Sequence, residues 1–288
     1  MSELSLRGKK IWSLRSQTID LDAPKIMGIL NVTPDSFSDG GLFLDPEAAL
    51  ERAWQIQEEG ADFLDLGAES TRPGAQALPP DEEWRRLKPV LARLAKGLKI
   101  PISLDTKRVS TLNQALDFGV EVLNDVSCGK DQALVECAAQ ARLGYVLMHS
   151  RGEPDTMMQE TKYRELVPEI LAELSTARSR VLRWGIEPGK ICIDPGFGFA
   201  KTPEQGFQLL QNLSQFLELG QPILVGLSRK RMLREIVGET PEALKAASIA
   251  GALLAVQNGA SMVRVHDVLG TKAALRTLQK LDAGLQKS

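Results

Sequence analysis

Short apolar segments that end in polar or charged residues recur eight times along the chain, with helical segments between them. They are KIMGILN (25–31), ADFLDLGAES (61–70), PISLDT (101–106), EVLNDVS (121–127), GYVLMHS (144–150), KICIDPG (190–196), PILVGLSRK (222–230) and SMVRVHD (261–267). Their apolar residues are nearly continuous, as expected for strands covered by helices on one face and by a packed barrel interior on the other. Strict alternation of strand and helix implies parallel strands, so eight units predict an α/β fold with one (β/α)8 TIM barrel.

Helix boundaries are marked by capping residues followed by proline. Asp45-Pro46-Glu47 predicts a helix start, with the end at Gly60, and the same signature recurs at Thr202-Pro203-Glu204 and Thr240-Pro241-Glu242. Other helices are predicted near 80–96, 109–118, 131–142, 162–184, 203–219, 229–237, 241–258 and 270–284. Residues 4–22 predict a β-hairpin that plugs the N-terminal mouth of the barrel. We therefore expect a single domain over 1–288, with residues 1–24 as its N-terminal cap.

Charge, the first residues and the cysteines limit the partners, the location and the disulfide content that we expect. A net charge of −2 and a pI of 5.9 provide no broad basic face for nucleic acid or anionic membrane, so neither partner is expected. The segment MSELSLRGKK at the start lacks the apolar run of a signal peptide, which predicts a cytoplasmic protein. The three cysteines, Cys128, Cys137 and Cys192, lack paired spacing and are expected to be reduced packing residues.

Polar residues follow the third, fourth and sixth strands as Asp105, Asn124 and Asp194. Active sites of this fold lie at the carboxyl ends of the strands, so these side chains should converge at one mouth. Carboxylates and an amide suit a flat heterocycle with adjacent N–H groups. They are equally compatible with oxygen ligation of magnesium, or with simple turn formation.

Basic residues at the last two strands indicate an anion site. Ser228-Arg229-Lys230-Arg231 begins a predicted helix, where cations oppose the helix dipole unless an anion offsets them; the alternative is a solvated helix end. Arg264 and His266 alternate on strand eight, and with Asn31 beside them they form a candidate phosphate clamp. The other histidine, His149, also lies at a strand tip, and a local hydrogen-bonding role is equally open.

Two nucleotide-binding patterns are only partly present and are set aside. Gly196–Lys201 lacks the third glycine of a dinucleotide fingerprint, and Ala200-Lys201-Thr202 lacks the glycine spacing of a P-loop. The HExxH and GxSxG motifs do not occur, so no motif indicates hydrolysis through an acyl-enzyme.

Seven blocks of the sequence together resemble the dihydropteroate synthase family of folate biosynthesis. They are MGILNVTPDSFSDGG (27–41), DLGAESTRPG (65–74), SLDT (103–106), NDV (124–126), DPGFGF (194–199), SRK (228–230) and RVHDV (264–268). The resemblance implies the joining of 6-hydroxymethyl-7,8-dihydropterin pyrophosphate to 4-aminobenzoate, with release of pyrophosphate and assistance from Mg²⁺. It also implies that the protein forms a homodimer and that it is a target of sulfonamide drugs.

The resemblance also implies roles for individual residues. Those implied to hold the pterin are Asp105, Asn124, Asp194 and Lys230. The set implied for the pyrophosphate is Asn31, Arg72, Arg264 and His266, with Asn31 also holding the metal. The aminobenzoate site would be formed by Phe37, Thr71, Arg72, Pro73, Phe197 and Ser228, with Asp39 in the first loop. The implied catalytic residues are Asp105, Lys230, Arg264 and His266.

The departures from the family pattern are mild. Ala68 stands where a second glycine is common, Arg231 stands where serine is frequent, and residues 243–248 lack the usual Arg and Gly-Ser. Two other interpretations remain. A pterin-dependent methyltransferase would share the pocket but would not need a pyrophosphate clamp, and a non-catalytic pterin-binding barrel would lose loop residues such as Phe37 and Arg72.

Overall fold

A computed structural model of the chain describes residues 10–33, 46–69, 78–152 and 156–285. A two-stranded antiparallel hairpin, β1 (Ile11–Ser13) and β2 (Thr18–Asp20), comes first. Eight parallel strands follow within the described residues: β3 (Lys25–Asn31), β4 (Phe63–Gly67), β5 (Ile102–Asp105), β6 (Val120–Asp125), β7 (Gly144–Met148), β8 (Ile191–Asp194), β9 (Leu224–Val225) and β10 (Met262–Val265). The predicted barrel and hairpin are thus confirmed.

Strand pairing runs around the barrel in the order β8-β7-β6-β5-β4-β3-β10-β9. An isolated parallel bridge between Ile193 and Ile223 links β8 to the segment before β9, which nearly closes the sheet on itself. The strand around β9 is shorter than its apolar sequence suggests, because only Leu224 and Val225 pair regularly with β10.

Helices follow the barrel strands and cover their outer face. Their bounds are α1 (Pro46–Glu58), α2 (Pro80–Leu94), α3 (Val109–Ala115), α4 (Gln132–Gln140), α5 (Leu166–Arg183), α6 (Pro203–Gln211), α7 (Arg231–Val237), α8 (Pro241–Gln257) and α9 (Val268–Leu285). The segments predicted as helices over 109–118 and 203–219 are each completed by a 3₁₀ turn, over Leu116–Phe118 and Leu213–Leu219.

The capping signatures differ in outcome. Thr202 and Gln205 form a reciprocal capping box at the start of α6, as the sequence predicts. Thr240 precedes Pro241 at the start of α8 in the expected position, but its side chain makes no capping hydrogen bond. Asp45 lies outside the described residues.

The hairpin closes the N-terminal end of the barrel. Trp12 is fully buried in a cluster with Phe63, Val122 and Met262, and its ring centroid lies 5.5 Å from that of Phe63. Its indole N–H donates to the carbonyl of Lys190 at 2.7 Å, which satisfies the one polar group of the ring. The plug predicted from residues 4–22 is therefore present from residue 10 onward.

The cysteines and the length of the helices can also be compared with the sequence. Cys128, Cys137 and Cys192 are buried and free, as predicted for packing residues. Within the described ranges, no helix has the length and apolar character required to cross a membrane.

Candidate active site

Three polar side chains meet at the carboxyl ends of β5, β6 and β8. Asp105, Asn124 and Asp194 are 4–7% exposed, although all three are polar and lie at strand ends. Asp105 and Asn124 are register partners on neighbouring strands. The barrel topology therefore brings these sequence-predicted residues to one mouth, as parallel strands require.

Arg264 on β10 reaches across this mouth to two carboxylates. Its Nε donates to Asp65 Oδ2 at 2.6 Å, and its Nη2 donates to Asp105 Oδ2 at 3.0 Å. The predicted clamp requires a ligand to supply the anion for this half-buried arginine, whereas the protein itself supplies two carboxylates. The role of Arg264 toward pyrophosphate stays a prediction.

Burial shifts the acid–base properties of the mouth toward neutral pH. Burial raises the pKa of Asp105 from 3.8 to about 7; Arg264 opposes this shift and Asp65 adds to it. Burial also raises the pKa of Asp194, against the opposing charge of Lys230. The pKa of Lys230 is lowered to about 8 by burial, with Asp194 opposing. Perturbed groups clustered in one cleft are typical of a functional site.

The three cations of the segment 228–231 have different surroundings. Arg229 is exposed and pairs with Asp267 at 2.9 Å, and Arg231 pairs with Glu235 at 2.8 Å on α7. Lys230 alone turns toward the mouth, where its ammonium donates to the carbonyl of Phe197 and lies 4.5 Å from the ring centroid of Phe199. Arg229 and Arg231 are thus paired with carboxylates away from the mouth, and Lys230 is the one of the three that can reach a ligand there, beside Asp194.

His266 and Ser228 are joined on the adjacent side of the barrel. Ser228 Oγ lies 3.0 Å from His266 Nδ1, and the backbone N–H of His266 donates to the same oxygen at 3.3 Å. Asn31 ends β3, the strand that pairs with β10, and its side chain is half-buried. The three predicted residues therefore lie on neighbouring strand ends.

The loop after β8 wraps tightly against β7. Gly196 has φ of +73°, and a Cβ there would lie 1.9 Å from the carbonyl oxygen of His149, so only glycine fits. Asp194 Oδ1 accepts from the backbone N–H of Gly196 at 2.7 Å. The ring of Phe197 is fully buried in the hydrophobic core, and its carbonyl oxygen faces Lys230.

Behind this loop lies a buried network that no sequence motif predicts. Lys201, 2% exposed, donates to His149 Nδ1 at 2.9 Å and to the carbonyls of Gly196 and Phe199 at 3.0 Å each. The Glu173 carboxylate only accepts, so His149 Nε2–H donates to it at 2.9 Å, and Nδ1 of the neutral imidazole accepts from Lys201. Burial lowers the pKa of His149 to about 4 and that of Lys201 to about 7. His149 thus has the local hydrogen-bonding role that the sequence left open.

Asp65 is the most central residue of the site that is not among the predicted ones. Its side chain is fully buried and accepts hydrogen bonds from Ser103, Asn124 and Arg264. A signal existed in the segment FLDLG, where a carboxylate interrupts a strand that is otherwise apolar. Several predicted loop residues lie outside the described residues: Phe37, Asp39, Thr71, Arg72 and Pro73.

The chain is similar in sequence and in structure to proteins of known function. The family model described as "Pterin binding enzyme" matches residues 27–266. The dihydropteroate synthase of Neisseria meningitidis serogroup C is 44% identical over 282 residues, which cover 96% of this chain and 99% of that protein. A structure of Xanthomonas albilineans dihydropteroate synthase with 4-aminobenzoic acid superposes with a TM-score of 0.89 at 41% identity, covering 96% of this chain and 99% of the other. The same enzyme with 7,8-dihydropteroate gives 0.86 at 39% identity, covering 95% and 99%.

Proposed function

The chain belongs to the dihydropteroate synthases of the pterin-binding enzyme family, and we propose that the mouth around Asp105 is where its reaction takes place. The reaction joins 6-hydroxymethyl-7,8-dihydropterin pyrophosphate to 4-aminobenzoate and releases pyrophosphate. The observation that supports this location is the convergence of Asp105, Asn124, Asp194 and Lys230 at the carboxyl ends of the strands. A pterin-dependent methyltransferase is disfavoured by the relatives, which are dihydropteroate synthases over nearly their full length.

The pterin is held by Asp105, Asn124, Asp194 and Lys230. An ionised carboxylate only accepts hydrogen bonds, which suits the N–H edge of the pterin, and an amide and an ammonium add one acceptor and several donors. Because Asp105, Asn124 and Asp194 are almost fully buried, each hydrogen bond to a charged group there contributes more than it would in water. The negative charge of Asp105 and Asp194 also opposes positive charge that develops on the pterin methylene.

The leaving pyrophosphate is neutralised from the side of β3 and β10. Asn31, Arg264 and His266 supply an amide, a guanidinium and an imidazole there, and Arg72 completes the set from outside the described residues. As the C–O bond breaks, its electron pair goes to the pyrophosphate oxygen, so donors placed on that oxygen lower the barrier.

The second substrate needs little activation. The arylamine nitrogen attacks the methylene carbon with its own lone pair and forms the C–N bond, and its proton leaves to water or to the released pyrophosphate. A protein nucleophile is not required, so the main task of the site is to hold the two substrates in line. Ser228 is assigned to this side, and Phe37, Thr71, Arg72 and Pro73 would complete it from outside the described residues. The assignment of Phe197 needs a correction: its ring is fully buried in the core, so only its backbone carbonyl, which accepts from Lys230, can contribute here.

Magnesium is compatible with the donors present. Among the described residues, no cluster of three or more His, Cys, Asp or Glu side chains is arranged to hold a metal ion. Mg²⁺ commonly takes one or two protein oxygens together with waters and substrate phosphates, so the amide oxygen of Asn31 fits as its protein ligand. When bound, the ion would supply further positive charge to the leaving group.

The number of domains, the oligomeric state and the cellular location are also proposals. We infer one domain over residues 1–288 because the hairpin packs directly into the barrel end. Large apolar side chains exposed on α7 and α8, including Ile236 and Leu254, support a homodimer. Free cysteines at all three positions support a cytoplasmic location.

A pyrophosphate-release assay with both substrates tests the function. Release of pyrophosphate should require 4-aminobenzoate and Mg²⁺, and dihydropteroate should accumulate in equal amount, as measured by mass spectrometry. Asp22→Asn, which changes an exposed carboxylate at the opposite end of the barrel, serves as a control that should retain full activity. Pyrophosphate release without incorporation of the arylamine would contradict the assignment.

A further inference from the structure

Asp65 lies one layer below the pterin-facing residues. It is the register partner of Ser103, whereas Asp105 pairs two residues further on with Gly67. The Asp65 carboxylate is fully buried and accepts from Ser103 Oγ at 2.6 Å and from Arg264 Nε at 2.6 Å. It contacts no open part of the mouth, so any effect on a ligand must pass through its neighbours.

The informative neighbour is the Asn124 amide. Its Nδ2 lies 3.3 Å from Asp65 Oδ1 and 3.2 Å from Oδ2. A carboxylate paired with Arg264 only accepts hydrogen bonds, so the amide must present its nitrogen to Asp65 and its Oδ1 away from it. None of the described residues donates a hydrogen bond to that Oδ1. The amide thus offers the ligand an acceptor, and its orientation is determined by Asp65.

We propose that Asp65 is a positioning residue for the proposed reaction, which sets the polarity of the pterin pocket by fixing Asn124 as an acceptor and holding Arg264 beside Asp105. Because it accepts from Ser103 and Arg264 as well, the carboxylate is held on several sides and cannot rotate freely. The inference deepens the proposed function and rests on it, since it presumes that a pterin binds at Asp105 and Asn124.

Exchanging the two side chains tests the proposal. In Asp65→Asn the new amide can donate to Asn124, whose orientation is then no longer determined. In Asn124→Asp two carboxylates face each other. In the double variant the amide at 65 donates to the carboxylate at 124, which still offers an acceptor to the ligand. Each single change should weaken binding of 6-hydroxymethylpterin about 10- to 100-fold, the equivalent of losing one hydrogen bond to a charged group.

The expected result is that the exchanged variant regains at least tenfold in affinity over the weaker single variant, as measured by calorimetry. The single variants should raise KM for the pterin pyrophosphate while leaving KM for 4-aminobenzoate within about twofold, which a general loss of structure would not do. Smaller recovery, or wild-type affinity in Asp65→Asn, overturns the proposal. The exchanged variant keeps the wild-type net charge, so its affinity decides the question even where Asp65→Asn does not fold.

Failure of the inference is distinguishable from failure of the proposed function. If wild-type protein forms dihydropteroate but the exchange gives no recovery, only the positioning role of Asp65 is lost. If wild-type protein binds 6-hydroxymethylpterin and the exchange recovers affinity, but no dihydropteroate forms, the positioning role stands and the proposed function is lost. Wild-type protein that binds no pterin would remove both.

Discussion

Each end of the barrel holds a lysine, and the two lysines differ in burial and in their partners. At the N-terminal end, Lys190 is 4% exposed, and its ammonium donates to the carbonyls of Leu14 and Arg142 at 2.7 Å each. At the C-terminal end, Lys230 is half-buried; it donates to one carbonyl, that of Phe197, and it also lies beside the carboxyl groups of Asp194 and Asp105, which are themselves titratable. Backbone carbonyls are permanent partners, whereas carboxylates can change protonation and can exchange a protein partner for a ligand. The first end is therefore built for stability and the second for binding.

The largest effect that separates the two ends should come from Trp12→Ala. It removes a fully buried indole from the hairpin plug and leaves a cavity, so the free energy of unfolding should fall by about 3–5 kcal/mol. Urea denaturation measures that loss, and steady-state kinetics on the folded protein should show unchanged KM values. Trp12→Phe, a milder truncation, provides the same comparison if the alanine variant does not accumulate. A changed KM for the pterin substrate with little loss of stability would contradict the assignment of stability to the N-terminal end and binding to the C-terminal end.

Arg264→Met should give the largest effect at the other end. Met keeps much of the packing of the arginine stem but removes the charge that we assign to the leaving group. Turnover should fall by a factor that corresponds to about 2–4 kcal/mol of barrier, while the dissociation constant for 6-hydroxymethylpterin, which lacks the pyrophosphate, should change less. Similar losses in both quantities would mean that Arg264 acts through Asp65 and Asp105, its partners in the empty pocket, and the leaving-group role would be wrong.

Asp105 makes the binding end sensitive to pH. Its pKa of about 7 means that the ionised form, which accepts hydrogen bonds from the pterin, increases about tenfold between pH 6 and pH 8. Affinity for 6-hydroxymethylpterin should rise by about that factor. In Asp105→Asn, affinity should be lower by about 1.5–3 kcal/mol at pH 8 and should lose this pH dependence, as calorimetry across the range would show. A retained slope in the variant would assign the titration to another group.

The same carboxyl has the opposite effect on stability in the ligand-free protein. Because its pKa is raised above the ordinary 3.8, its contribution to stability is fully present below that value and is lost as the pH rises through about 7. Stability of the empty protein and affinity for the pterin should therefore change in opposite directions over this range. Asp22→Asn, on an exposed carboxylate, is the matched control and should leave both slopes unchanged.

The sequence predicts the scaffold well because the scaffold depends on local patterns. Eight apolar runs alternate with capped helical segments, and each run carries its own polar tip, so the fold and the convergence of Asp105, Asn124 and Asp194 follow from topology. Thr240 shows the limit of local signals, since it has the same neighbours as Thr202 but makes no capping bond.

Partners across the barrel are less visible in the sequence. Arg264 and Asp65 are 199 positions apart, and no spacing rule connects them. The phosphate clamp predicted around Arg264 assigns its anion to a ligand, because no local pattern links this strand to the carboxylate within β4. Lys201 is a similar case, because the sequence around it resembles only incomplete nucleotide-binding patterns, and its bond to His149 depends on how the loop after β8 folds back.

The smallest predicted effects come from two serines that make nearly the same bond at opposite ends. Ser16 Oγ donates to Glu121 Oε1 at 2.6 Å on the exposed rim of the hairpin, and Ser103 Oγ donates to Asp65 Oδ1 at 2.6 Å in the buried floor of the pocket. Ser16→Ala should reduce stability by no more than about 1 kcal/mol, since solvent replaces the lost bond, and should leave kinetics unchanged.

Ser103→Ala should cost a similar amount of stability, about 0.5–1.5 kcal/mol, but should also raise KM for the pterin pyrophosphate several-fold. The reason is that the Asp65 carboxylate would lose one of the bonds that hold it, and Asn124 and Arg264 are oriented by that carboxylate. Thermal unfolding and steady-state kinetics of the two alanine variants, measured side by side, check both expectations. If both variants leave KM unchanged, the floor beneath the pocket contributes stability alone, and the distinction between the two ends applies only to the layer that contains Asp105.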